Sequence, residues 1–249
     1  MRPILYAVFV LLGVSTTVWL ILFRAYPRYL KDTRTPLFTR GRLGAVIAVA
    51  ILCSILGARA SYTVFQWELY AGNPARILRL WEGGLVFHGG LAGALLGVGV
   101  FTRVQRIGLR ELLDMALPYV CIGYAIGRIG CFLNGCCAGQ PSELPWAVIL
   151  AEIIGTTPRH PTQLYASLAA IAIFVPLRSL SRNARYVGTT TAAFLMLFGG
   201  YRFLMEFLRL HRPPEGGLSP FQWTAMLLII LGVGVLVAAR WRGERRNAY

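Results

Sequence analysis

Charge is scarce in this chain, and acidic charge scarcest. Only 14% of its 249 residues are charged, 10 Asp+Glu against 25 Lys+Arg, where a soluble domain carries about 25%. Lysine is nearly absent: Lys31 is the only one. With 56% hydrophobic residues, this composition excludes a soluble enzyme. The net charge of +15 falls between apolar runs, which points to topology and anionic lipid rather than to nucleic acid. Histidine and cysteine are few, three and five, and they form neither a regular zinc pattern nor an even disulfide set. No metal and no other cofactor is therefore expected. Cys53 and Cys121 lie in apolar runs and read as small buried hydrophobes.

What the chain has in abundance is apolar runs. Seven are long enough for about 30 Å of hydrocarbon, roughly 4–23, 43–66, 84–101, 112–133, 162–178, 188–208 and 219–239. The first is too long for the h-region of a cleaved signal. The expected fold is an all-α polytopic membrane protein, a single integral membrane domain over 1–249. Residues 67–83 mix Trp, Leu, Arg and Glu and read as an interfacial arm. Residues 134–161 show no apolar period and read as an irregular head segment. The loops after spans one, three and five and the C-terminal tail hold 16 Lys/Arg, the other connections and the N-terminus six. The positive-inside rule then sets the N-terminus outside and the C-terminus in the cytoplasm, with arm and head facing outward.

Glycines at helical spacing, Gly89/Gly93/Gly97 and Gly123/Gly127, read as close helix contacts. Against this apolar ground the polar residues of the spans stand out: Arg59, His88, Arg128, Asn134, Arg202 and Glu206. An arginine at mid-bilayer costs about 2.5–3.5 kcal/mol even on lenient scales, so the set is expected to converge on a polar cavity. Arg202 and Glu206, four apart, can pair on one helix face. Arg128 and Arg59 then leave excess positive charge, which suits an anion, and arginine forks match phosphate oxygens. In a membrane that anion is a phospholipid headgroup. His88 has the unperturbed pKa of a general base near neutrality, while His160 reads as orienting a turn and His211 as solvated. Cys131, Cys136 and Cys137 admit packing around a glycine-rich bend, a disulfide or a covalent role.

Several segments carry a resemblance. GRIGCFLNGCCAG, beginning at Gly127, resembles the GRxGNFxNxE…G motif of prolipoprotein diacylglyceryl transferases. FHGGLAG is similar to that family's HGG motif, and GGYRFLMEFLR to its late Arg/Glu helix. LGARASY, NPARILRLWEGG, RHPTQLY, GGLSPFQW and the early ILYAVFVLLG extend the similarity over nearly the whole chain. Cys131 stands where the motif has its first asparagine, Cys136 where it has an acid, and Ala7 where glycine follows the tyrosine. The resemblance implies transfer of diacylglycerol from phosphatidylglycerol to the lipobox cysteine of a prolipoprotein signal peptide, forming a thioether and releasing glycerol 1-phosphate. It implies a bacterial cytoplasmic (inner) membrane enzyme whose site opens to the outer leaflet. Arg128 and Arg202 would hold the phosphate, and His88 or its surroundings would assist thiol deprotonation. Tyr6 would line the site and Glu206 would fix Arg202; Asn134 and Gly139 match later motif positions, and Arg59, Gly89 and Gly90 complete the binding set. The thiols at 131 and 136 motivate an alternative, a homologue that binds phospholipid or precursor without transfer.

Overall fold

The computed structural model describes residues 2–32, 38–150, 155–209 and 217–247; His211 lies outside them. α1 (Arg2–Leu20) runs through one π-helical turn, Ile21–Ala25, into α2 (Tyr26–Asp32). α3 (Arg40–Phe65) starts where Thr39 caps it, its hydroxyl accepting from the Arg42 amide at 3.3 Å. A short helix α4 (Glu68–Ala71) and 3-10 turns at Pro74–Leu78 and Leu80–Glu82 lead to α5 (Phe87–Val104) and α6 (Leu109–Leu133). Strands β1 (Val148–Leu150) and β2 (Gly155–Arg159) precede α7 (Thr162–Asn183), α8 (Thr189–Glu206) and α9 (Pro220–Asn247).

The seven expected spans coincide with seven helical stretches, α1 and α2 making one. Among the described residues six of these are long and apolar enough to cross a membrane. α8 is the exception, because Arg202, Glu206 and Thr189–Thr191 dilute its apolar residues. The chain is an all-α polytopic membrane protein. The arm between α3 and α5 exposes Trp67, Leu69, Leu78 and Trp81. The head is not wholly irregular: β1 and β2 pair antiparallel, with Val148 opposite Arg159. Strands of three and five residues are too short to show alternation in sequence.

Two compact units result, Met1–Pro27 with Arg110–Tyr249, and Arg28–Leu109. In the second, α3 and α5 meet through glycines. A Cβ on Gly93 would stand 2.2 Å from the Cys53 carbonyl oxygen, and one on Gly89 2.5 Å from that of Gly57. The double GxxxG run is thus a close helix contact, and Gly89 belongs to it. In the first unit, Gly13 of α1 faces Gly123 of α6, where an added Cβ would lie 2.7 Å from the Gly123 carbonyl oxygen. Gly127, the expected partner of Gly123 in a contact pair, instead borders open space.

One carboxylate escaped the set of intramembrane polar groups. Asp114, near the start of α6, accepts from the Gly188 amide at 2.6 Å and from the Thr191 amide and hydroxyl at 2.7 and 2.6 Å. It thereby satisfies otherwise unpaired amides at the start of α8 and places negative charge at the positive end of the helix. The start of α8 is tied to α6, and this fixes the helix that carries Arg202.

Candidate anion-binding site

The last turns of α6 carry Arg128, whose guanidinium lies 4.8 Å over the ring of Tyr124 one turn earlier. The Tyr124 hydroxyl is 3.4 Å from that of Tyr201 on α8, so the cation is backed by aromatic faces rather than by a carboxylate. Beyond Leu133 the chain turns at Gly135 (φ 73°) and passes through Cys137 in the left-handed region (φ 65°). Two side chains at the start of α7 hold this turn. Thr162 donates to the Cys137 carbonyl at 2.7 Å, and Gln163, 1% exposed, donates to the Cys136 carbonyl at 2.5 Å.

Gly139 follows, where three strands of chain meet. Its amide donates to the His160 carbonyl at 3.0 Å, and the next amide, Gln140, donates to that of Leu208 at 2.9 Å. The Gln140 side chain donates to the Arg209 carbonyl at 2.9 Å, and Gly139 bridges Arg209 as an isolated antiparallel pair. A Cβ at Gly139 would meet the Leu208 carbonyl oxygen at 2.5 Å and Thr162 Cγ2 at 2.7 Å. Only glycine lets these chains approach so closely.

This stitching brings Arg209 to the same cleft as Arg128 and Arg202. Cys137, Thr162, Tyr201 and Met205 also line it, and among the described residues no acidic side chain does. Three guanidiniums with no carboxylate among the described lining residues suit an anion by charge balance. The cleft is tight, with about 10 Å³ of free space.

The Arg202–Glu206 ion pair expected from spacing is absent. Glu206, 4% exposed, accepts at Oε1 from the Ser219 hydroxyl at 3.2 Å, and its Oε2 has no hydrogen-bond partner among the described residues. As the last residue of α8 it turns toward the chain entering α9, and Arg202 faces the cleft. The sequence reading also missed Arg209, Thr162 and Gln163. RHPTQLY contained two of them, but nothing in the motif reveals that both reach back to the Cys136–Cys137 carbonyls.

A sequence profile described as prolipoprotein diacylglyceryl transferase matches residues 3–238. The chain belongs to this family. It is 35% identical to a phosphatidylglycerol–prolipoprotein diacylglyceryl transferase of Methylococcus capsulatus, over 94% of this chain and 90% of that protein. The identically named protein of Azotobacter vinelandii is 35% identical over 98% and 92%, and that of Cupriavidus metallidurans 36% over 83% and 78%.

In this diacylglyceryl transferase family member, the remaining residues singled out from sequence divide between the two units. In the first, Tyr6 of α1 lies near Arg128 and the three thiols at 131, 136 and 137, and the Asn134 side chain lies beside Cys136. In the second, Arg59 is 4% exposed and spends its guanidinium on main-chain carbonyls. It donates to those of Ile77 (2.8 Å), Gly83 (2.5 Å), Gly84 (3.3 Å), Arg76 (2.7 Å) and Arg79 (3.2 Å). Its donors are thus engaged in fastening the arm. His88 is exposed at the start of α5, edge-on to Phe87 with ring centroids 5.7 Å apart. Gly89 and Gly90 pack against α3, Gly90 facing Ser54 and Ala58.

Proposed function

We infer that this chain transfers the diacylglyceryl group of phosphatidylglycerol to the cysteine thiol of a prolipoprotein. The observation that carries the reading within the fold is the cleft of Arg128, Arg202 and Arg209, with no carboxylate among its described lining residues. The acceptor sulfur attacks the glycerol carbon that bears the phosphate ester. A C–S bond forms, the C–O bond to phosphate breaks, and glycerol 1-phosphate leaves with the negative charge. That charge grows in the transition state, so arginines aimed at the phosphate stabilise it more than the ground state. Removing one such donor costs about 10²–10³ in rate.

The acceptor is proposed to be the lipobox cysteine, presented at the outer leaflet of a bacterial inner membrane by a multi-pass domain with its N-terminus outside. The positive-inside count supports that orientation. The thiol must lose its proton to become the nucleophile. His88, an exposed imidazole, is our candidate to take it. Tyr6 and Asn134 border the arginine group, Gly139 and Glu206 shape the chain around it, and Arg59, Gly89 and Gly90 act through the arm and the α3–α5 contact. A second reading, binding of phospholipid without transfer, is favoured only by the thiols of Cys131 and Cys136 at motif positions where an amide and an acid are usual. Purified protein given phosphatidylglycerol and a lipobox peptide separates the two: a diacylglyceryl-peptide supports transfer, and lipid binding without that product supports the alternative.

A further inference from the structure

The cleft has one wall that phosphate binding does not use. Cys131, at the end of α6, and Cys136 share a main-chain hydrogen bond, the Cys136 amide donating to the Cys131 carbonyl at 3.2 Å, with Cys136 Sγ 3.6 Å from the same oxygen. The Cys137 side chain lies beside the other two thiols. None is in a disulfide, and Cys137 is the exposed one. Its left-handed φ of 65° is sparsely populated by residues other than glycine. Hydrogen bonds from Thr162 and Gln163 to the Cys136–Cys137 carbonyls hold it there. The result is an accessible sulfur lining the cleft of Arg128, Arg202 and Arg209, with a second thiol in reach. Access, cationic neighbours and an adjacent thiol mark an exchange-competent cysteine rather than a packing one.

We propose that Cys137 and Cys131 form a thiol–disulfide exchange site in the cleft wall, taking small or peptide disulfides as substrates. The Cys137 thiolate attacks one sulfur of R–S–S–R, the S–S bond breaks, and R–S⁻ leaves and takes up a proton. Cys131 then attacks Cys137 Sγ, expels the second R–S⁻, and gives up its own proton to that leaving group. Two electrons pass from the protein dithiol to the disulfide; two R–SH and one Cys131–Cys137 disulfide result. Cys131 is the resolving thiol because adjacent Cys136 and Cys137, with Cα atoms about 3.8 Å apart, fall short of the usual disulfide span of about 4.4–6.8 Å. Hydrogen bonds from Cys131 and Cys136, and the positive charge of Arg128 and Arg209, hold the Cys137 thiol below the usual thiol range. Lowering a thiol into the neutral range multiplies its thiolate fraction by more than about ten-fold but loses about five-fold in intrinsic nucleophilicity, a net gain of about three-fold.

The test does not depend on lipid transfer, because its readout is the protein's own mass. The full, reduced chain in detergent is incubated with oxidised glutathione and mapped by peptide mass spectrometry over time. The expected course is a glutathione adduct on Cys137, about three-fold or more faster than on Cys53, giving way to a Cys131–Cys137 linkage. Cys131→Ser should stop at a stable adduct on Cys137, and Cys137→Ser should show no fast adduct at 131 or 136. Buried Cys121 reports unfolding, because it reacts only when a variant loses its fold. Wild-type Cys137 reacting no faster than Cys53 would overturn the proposal, as would an adduct on wild-type Cys137 that persists as it does in Cys131→Ser.

Discussion

Gly127 and Gly139 sit in one motif and, on sequence alone, invite the same explanation. The structure separates them. A Cβ at Gly139 would meet the Leu208 carbonyl oxygen at 2.5 Å, Thr162 Cγ2 at 2.7 Å and His160 Cβ at 2.8 Å, and one of these three is main chain on another segment. Gly139→Ala must push the Leu208–Arg209 segment off the turn. It breaks the hydrogen bonds that the Gly139 and Gln140 amides donate to the His160 and Leu208 carbonyls and moves Arg209 out of the cleft. Overpacking of this kind costs about 1–3 kcal/mol, and each lost hydrogen bond adds about 0.5–1.5 kcal/mol. Gly127 lies inside α6 with nothing within 4 Å of its added Cβ. There alanine is better than glycine by about 0.5–1 kcal/mol. Thermal unfolding of both variants in the same detergent checks this directly. Gly139→Ala should lower the midpoint clearly, and Gly127→Ala should match or exceed wild type. Equal midpoints for the two variants would refute the reasoning, since it rests entirely on what each Cβ meets.

Further outcomes follow from the same contacts. Asp114→Asn replaces a carboxylate that accepts three hydrogen bonds at the start of α8 with a group that turns a donor toward a donor. It should destabilise by about 1.5–3 kcal/mol, seen as earlier unfolding, while Asp114→Glu keeps the charge and recovers part of the loss. Arg59→Lys cannot span five carbonyls with one ammonium, and should expose residues 67–83 to limited proteolysis at protease levels that leave wild type intact. Arg209→Ala should cut transfer at low phosphatidylglycerol by about ten-fold or more, measured as product against lipid concentration.

How much was legible in the sequence depended on the range of the physics. Apolar runs define spans locally, so seven helical stretches came out where expected, and the double glycine run marked the α3–α5 contact. Arg128 and Arg202 stood out because a charge within an apolar run demands a partner. Arg209 did not, because it lies just past α8 and reaches the cleft only through the Gly139 bridge, a pairing across 70 residues of chain. The Arg202–Glu206 spacing permitted a pair, yet a helix-end carboxylate had an equally good choice in Ser219. Asp114 was overlooked for the complementary reason, since its partners are main-chain amides that no motif records. Thr162 and Gln163 looked like ordinary residues at a helix start, and only the fold shows that they fix Cys136 and Cys137.

The central claim is that the arginines of one cleft hold the phosphate of a lipid whose diacylglyceryl group passes to a thiol. The most direct measurement gives purified wild type, Arg128→Ala and Arg202→Ala vesicles containing phosphatidylglycerol together with a lipobox peptide, and follows the peptide by mass spectrometry. Wild type should produce the thioether-linked diacylglyceryl peptide with release of glycerol phosphate, and both variants, folded by their unfolding midpoints, should lose at least about 10²-fold in rate. Product formed at the wild-type rate by both variants, or lipid bound by the wild type with no product, would contradict the account.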